Sequence, residues 1–238
     1  MSNINASVLD LPMSSLLQEE SVLACRYCKL GYTEVAGETL IGLRVFDFRR
    51  STWLNDTCIT LGLMFIKQRY PRIGIICPDF TAVPTPEKRK KRAGKLGAFE
   101  NSNNPVSYVC AANVTPSHWA AFIFYPNGLH NTRSPKLLGT SANPKPACVM
   151  FDASRDHYDK LKFMTMELFD IAAETDVHFI GGSTPKHVDG SSCGVLSLLF
   201  VEMSLVDGSG WGEDAFKALA YYRLRYLRHA LAMMSTAT

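Results

Sequence analysis

The stretch DGSSCGVLSLLFVE, residues 189–202, decides how the rest of the chain is read. A turn of Asp, Gly and Ser runs directly into Cys193, and an apolar run from Val195 follows. Gly190 suits a tight turn, and VLSLLFVE reads as a buried helix that begins at the cysteine. Such a cysteine has two readings. It is a small core residue, or a nucleophile whose thiolate is stabilised by the helix dipole and by backbone N–H groups without helical partners. On the second reading Gly194 lets a substrate backbone approach closely.

The chain-wide features set the frame for that choice. With 238 residues, 47% hydrophobic and 20% charged, the chain reads as an ordinary globular protein able to bury a substantial core. No apolar run approaches the roughly 18 residues of a membrane span, so no membrane partner is expected. The N-terminal MSNINASVLDLPMSSLLQEES lacks a basic n-region and a long apolar segment. That points away from a secretory signal and toward the nucleus or cytoplasm. Seven cysteines, at 25, 28, 58, 77, 110, 148 and 193, are scattered and partly embedded in apolar runs. In a reducing compartment they are expected as free thiols. CRYC at Cys25 to Cys28 has the spacing of half a zinc site, but no second pair follows at a zinc-finger distance, so no metal or other cofactor is expected.

The net charge of +3 is unevenly spread. PEKRKKRAGK (86–95) carries six basic residues and one acid, leaving the remainder slightly acidic. Without a dispersed basic face, nucleic acid is not an expected partner. Lys88, Arg89, Lys90, Lys91 and Arg92 read as a solvated loop, a nuclear-import signal or a patch for an acidic partner.

The sequence shows no internal repeats. A short helix is expected at MSSLLQEESVLAC, and strand-like alternation in ETLIGLRVFDF (38–48). STWLNDTCITLGLMFIKQRY (51–70) reads as a helix capped at Asn55 or Thr52 and ended by Pro71. Residues 78–106, with four prolines and the basic run, read as an exposed excursion too poor in apolar residues to pack. Strands are expected at VSYVCAANV (106–114), HWAAFIFYP (118–126), PACVMFDAS (146–154) and VHFIGG (177–182). Helices follow from HYDKLKFMTMELFDIAAET (157–175), from Cys193 onward, and from GEDAFKALAYYRLRYLRHALAMM (212–234). Helices at both ends of a central run of strands predict an α+β fold with a mostly antiparallel sheet. Residues 1–38 are expected as an N-terminal extension and 39–238 as one domain, with 78–106 as an exposed insert.

Thiol catalysis needs a base to make the thiolate and a third group to orient that base. His118 opens a strand and is followed by Trp119, whereas His130, His157 and His229 fall in loop or exposed helical settings. Asp152 closes the next strand, CVMFD, where its carboxylate either bonds the His118 imidazole or serves as a strand terminus or cap for SRDHYDKL.

These blocks together resemble the ubiquitin-like-protein-specific cysteine proteases of the SUMO/sentrin type. The resemblance rests on WLNDTCI, on HW opening a strand, on an Asp closing the next, and on DGSSCGV before a buried helix. They run in order from about Leu40 to Leu205, with 34 residues from His118 to Asp152 and 41 from Asp152 to Cys193. The resemblance implies a papain-like fold in which 39–238 is the catalytic domain, His118 is the general base, Asp152 its orienting acid and Cys193 the nucleophile. It implies that Trp53 and Trp119 roof a narrow channel for an extended Gly-Gly tail, and a channel that closes over the backbone excludes residues with a β-carbon. The alternative for both tryptophans is core packing. Asp56 either faces a basic patch on the modifier, as the resemblance implies, or caps a helix. Two departures stand out. The family's oxyanion-binding glutamine, six residues before the cysteine, is His187 here, and Ser192 replaces an acid. An imidazole N–H still donates a hydrogen bond, and the backbone N–H of Cys193 is the second oxyanion donor.

The expected function is therefore a thiol isopeptidase, acting as a monomer, that cleaves after the Gly-Gly of a ubiquitin-like protein such as SUMO, ubiquitin or NEDD8. His187 and Ser192 motivate a second reading, a module that binds the modifier with weak or no cleavage. A third is an acyltransferase on the same fold.

Overall fold

The structure is a computed structural model that describes residues 31–49, 51–99, 105–129, 145–182, 189–206 and 217–236. It opens with a hairpin of β1 (Tyr32–Val35) and β2 (Glu38–Ile41). Ala36 and Gly37 both adopt positive φ in its two-residue turn, which matches the right-handed twist of the flanking strands. Val35 and Leu40 pack into the core, so the folded body begins by Tyr32 and the expected boundary at residue 39 cuts through this hairpin. The alternation read in RVFDF is not a strand. Gly42–Arg49 is a 3-10 helix that buries Val45 and Phe48.

Helix α1 (Asp56–Arg69) follows, capped by the Asn55 side chain, which accepts from the Cys58 N–H at 3.1 Å. The short β3 (Ile73–Ile75) leads to a 3-10 turn (Pro78–Ala82), helix α2 (Pro86–Ala93) and a second turn (Gly94–Leu96). Strands β4 (Ser107–Thr115), β5 (His118–Tyr125) and β6 (Ala147–Phe151) come next. Helix α3 (Tyr158–Leu168) stops well short of the expected Thr175, with Asp170 just beyond it at φ +53°. Strand β7 (His178–Gly181), helix α4 (Cys193–Val206) and helix α5 (Leu219–Thr236) complete the described chain. No described helix is long and apolar enough to cross a membrane. The helix expected at MSSLLQEESVLAC and the CRYC pair lie outside the described residues, as does the start of the 212–234 helix.

The sheet runs β3-β4-β5-β6-β7 in sequence order. Its three middle strands are antiparallel, and each edge strand joins in parallel. Both faces are covered, which is why WAAFIFY reads as a continuous apolar run rather than an alternating one. Val109, Ala111, Ala121 and Ile123 face α1, α4 and α5, with Ile59, Leu63, Leu198 and Tyr226 in the same core. Their neighbours Cys110, Ala112, Ala120 and Phe122 face the opposite way, onto Leu161 and Leu168 of α3.

The second face also overturns one expectation. Residues 78–98 are not an exposed excursion, because Phe80, Ala93 and Ala98 are fully buried against the sheet. The basic run forms α2, whose cations reach acids far away in sequence. Arg89 makes a fork to Glu167 (2.6 and 2.5 Å), and Lys90 pairs with Asp170. Arg92 bonds Asp79 and Glu38, and Lys95 bonds Glu38 at 3.0 Å. These pairings, together with Ala93 and Ala98, dock a segment with few apolar residues of its own.

Candidate active site

The site forms where β5, β6 and α4 meet. His118 is the first residue of β5, beside a bulge at Asn113/Thr115 in the β4–β5 ladder. β6 pairs with β5 so that Phe151 lies opposite Ala121. The residue after β6, Asp152, is thereby delivered to the start of β5. Its carboxylate is fully buried, and Oδ1 lies 2.6 Å from His118 Nε2.

Asp152 is held from several directions. The Ser154 N–H and hydroxyl donate to Oδ1 (both 3.1 Å), and the hydroxyl also lies 2.9 Å from Oδ2. The His157 N–H donates to Oδ2 at 2.8 Å, and its Nδ1 lies 3.2 Å from the same oxygen. Burial alone would raise the Asp152 pKa. The bonds from His118, from the two backbone N–H groups and from the Ser154 hydroxyl outweigh it and hold the carboxyl well below its usual range.

Cys193 begins α4 and is fully buried in the core it shares with Trp119 and Ile59. The two readings of this cysteine therefore meet: it is a core residue, and it also bonds the histidine. Its thiol faces β5, with the Trp119 N–H 3.5 Å from Sγ. The His118 pKa is raised to about 9, first by the Asp152 bond and next by a hydrogen bond with Cys193, against the opposing effect of burial. With Nε2 turned to Asp152, Nδ1 is the ring nitrogen left for the thiol. Cys193, His118 and Asp152 are thus linked by hydrogen bonds, with His118 placed as the base for the thiol proton. The Cys193 N–H is among the first-turn donors that no helix carbonyl accepts.

The loop before the cysteine is wound around Asp189. Its carboxylate accepts from the N–H of Ser191 (2.9 Å) and Ser192 (2.8 Å), and from the Ser192 hydroxyl (2.6 Å). Gly194 has a different role from the one read in the sequence. A Cβ there would sit 3.1 Å from Leu54, 3.2 Å from Trp119 and 3.3 Å from Ile59, so the glycine lets α4 pack close to its neighbours.

The two tryptophans differ sharply. Trp53 is 51% exposed, and its indole N–H donates to the carbonyl of Gly190 in the cysteine loop. Trp119 is only 3% exposed and donates to the Leu54 carbonyl at 2.7 Å, which places it in the core behind Cys193. Asp56 is an exposed residue in the first turn of α1, next to the capping Asn55. His187 lies outside the described residues. Ser154, His157 and Arg223 were missed in the sequence. The first two carry a faint signal, lying two and five residues after Asp152, whereas Arg223 sits on α5 and gives none.

Among the described residues, the ligand atoms of His118, Asp152 and His157 lie within 4.8 Å of one another, close enough to consider a metal. Both carboxylate oxygens already accept N–H and O–H donors. The cluster therefore reads as a hydrogen-bonded carboxylate shared by two imidazoles.

No protein-family profile matches the chain, and no curated protein matches it in sequence. Solved structures do match its fold. The Ulp1-like SUMO protease catalytic domain of Chaetomium thermophilum aligns at TM-score 0.56 and 15% identity, covering 93% of this chain and 90% of that one. The C-terminal Ulp1 protease domain solved in complex with Smt3, the yeast orthologue of SUMO, aligns at TM-score 0.55 and 15% identity over 91% and 97% of the two chains. A de-sumoylating protease aligns at TM-score 0.56 and 14% identity over 86% and 91%. The chain has the fold of the Ulp1-like protease domains.

Proposed function

We propose that this chain, built on the Ulp1-like fold, is a thiol protease that cleaves after the C-terminal Gly-Gly of a ubiquitin-like modifier, with SUMO the leading substrate. The observation that carries the reading is the line from Cys193 through His118 to Asp152, anchored by the 2.6 Å bond between His118 Nε2 and Asp152 Oδ1. The Smt3 complex of a domain with this fold supports a ubiquitin-like partner. The free thiols among the described cysteines suit action in the nucleus or cytoplasm.

In the proposed reaction the Cys193 thiolate attacks the carbonyl carbon of the terminal glycine. The resulting oxyanion takes the Cys193 N–H. His118 then gives its proton to the leaving lysine amine as the C–N bond breaks, which leaves a thioester on Cys193. Water attacks the thioester with its proton passing to His118, and the glycine carboxylate and the thiol are released. Asp152 stays ionised throughout and holds the ring in orientation. Trp53, exposed over the cysteine loop, is the wall along which the extended tail lies.

Hydrolysis of SUMO, ubiquitin and NEDD8 carrying a C-terminal peptide after Gly-Gly tests this. At least one is cleaved by the wild type and none by Cys193→Ala; cleavage by the alanine variant would refute the assignment. The full burial of Cys193 favours a second reading, a module that holds the modifier without cutting it. Tight binding of the modifier with no turnover by the wild type would select it.

A further inference from the structure

The Trp53 loop and the Cys193 loop are joined by a clasp that neither loop makes alone. Trp53 donates its indole N–H to the Gly190 carbonyl. The neighbouring carbonyls on each side, Thr52 and Ser191, accept from one nitrogen of a third residue, Arg223 of α5. Its Nη2 lies 3.1 Å from Thr52 O and 3.2 Å from Ser191 O, while Nη1 lies 3.3 Å from Asp47 O. Arg223 is only 5% exposed, and burying a guanidinium is costly unless its N–H groups find acceptors. Here it meets three backbone carbonyls from three separate segments, a task that suits a planar, multi-donor head group.

We infer that Arg223 is the positioning residue that sets the spacing between Trp53 and Cys193, and so the width of the groove that receives the extended substrate tail. This rests on the proposed protease reading for its consequence, though not for its geometry. Without the guanidinium the Thr52 and Ser191 carbonyls lose their common donor, and the Trp53–Gly190 bond loses the support on either side of it. A displacement of about 1 Å at such a wall is enough to cost roughly 100-fold in rate. His118 opens β5, Asp152 follows β6 and Cys193 opens α4, and the bonds from Arg223 to the backbone carbonyls of Asp47, Thr52 and Ser191 reach none of these three side chains.

The test uses Arg223→Gln and Arg223→Lys in the full chain. Hydrogen exchange of the Trp53 indole N–H, followed by NMR, reads the clasp without any substrate. The Trp119 indole, bonded to Leu54, serves as the internal control of the fold. Trp53 protection is expected to fall at least tenfold in the glutamine variant and less in the lysine variant, with Trp119 unchanged. Turnover of a diglycine-ended substrate, as kcat/KM, should fall about 30-fold or more, while alkylation of Cys193 by iodoacetamide stays within about threefold. Unchanged Trp53 protection in Arg223→Gln would overturn the inference. So would joint loss of Trp53 and Trp119 protection, since Arg223 would then hold the fold rather than the groove. If the wild type cleaves no diglycine substrate, the proposed function fails, and indole exchange still decides the role of Arg223.

Discussion

Replacing Asp152 with Asn keeps the shape of the side chain but removes its charge and turns one of its two acceptor positions into a donor. The structure sets the size of the effect. His118 rises from 6.5 to about 9, with the Asp152 bond as the first cause. At about 1.4 kcal/mol per pKa unit, that rise favours the imidazolium by about 3 kcal/mol. Because the folded-state pKa is raised, this stabilisation is complete below pH 6.5 and is lost as pH climbs through about 9. The wild type should therefore lose stability to unfolding between about pH 6.5 and 9 from this group, and Asp152→Asn should flatten that slope by the share that Asp152 supplies. The His118 imidazolium is less favoured with it, and the roughly 3 kcal/mol sets an upper bound of roughly 100-fold on the loss of reactivity. Iodoacetamide alkylation of Cys193, measured from pH 5 to 10, is the assay. At neutral pH the variant should alkylate at least tenfold more slowly, with a different dependence on pH. Superimposable profiles for wild type and variant would refute the link from Asp152 through His118 to Cys193.

Gly194→Ala places a methyl within 3.1–3.3 Å of Leu54, Trp119 and Ile59. Overpacking of this kind costs about 1–3 kcal/mol, so thermal unfolding should show a Tm drop of roughly 2–10 °C; an unchanged Tm would return Gly194 to a substrate-facing role. Glu202 is buried and receives Arg69, both terminal nitrogens of Arg225 (3.1 and 2.5 Å) and the Tyr226 hydroxyl at 3.0 Å. Glu202→Ala removes the acceptor of the buried Tyr226 hydroxyl and of two partly exposed guanidinium groups, and should cost about 1–3 kcal/mol in urea unfolding. Arg92→Ala removes bonds to both Asp79 and Glu38 and should destabilise by about 1–2 kcal/mol. Lys91→Ala, at an exposed position, should fall within about 0.5 kcal/mol of wild type.

What could be read from the sequence depended on how local its cause was. The strand starting at His118 and the helix starting at Cys193 have their causes within a few neighbouring residues and were legible at their first residue, whereas the strand expected over 146–154 ends at Phe151, just before Asp152. The cap of α1 was legible for the same reason, since Asn55 reaches only to Cys58. The basic run was misread because its partners are distant: Arg89 meets Glu167 and Arg92 meets Glu38, and no spacing rule links them. Hydrophobicity separated neither tryptophan from the other. Trp119 sits at an interior position of β5 beneath α4, while Trp53 lies on a loop held by Gly190, a difference only the packing reveals. Gly194 could be flagged as needing no side chain, but whether a ligand or Leu54 fills the space is a tertiary fact. Arg223 was invisible because its acceptors are backbone carbonyls, which every residue carries.

The central claim is that Cys193 is the nucleophile for a diglycine tail. It is tested most directly by peptide mapping after reaction with SUMO bearing an electrophile in place of its terminal glycine carboxylate. The account predicts a single adduct on Cys193 in the wild type, slower adduct formation in His118→Ala, and none in Cys193→Ala. An adduct on another cysteine, or an unmodified wild-type Cys193 beside tightly bound SUMO, would contradict it.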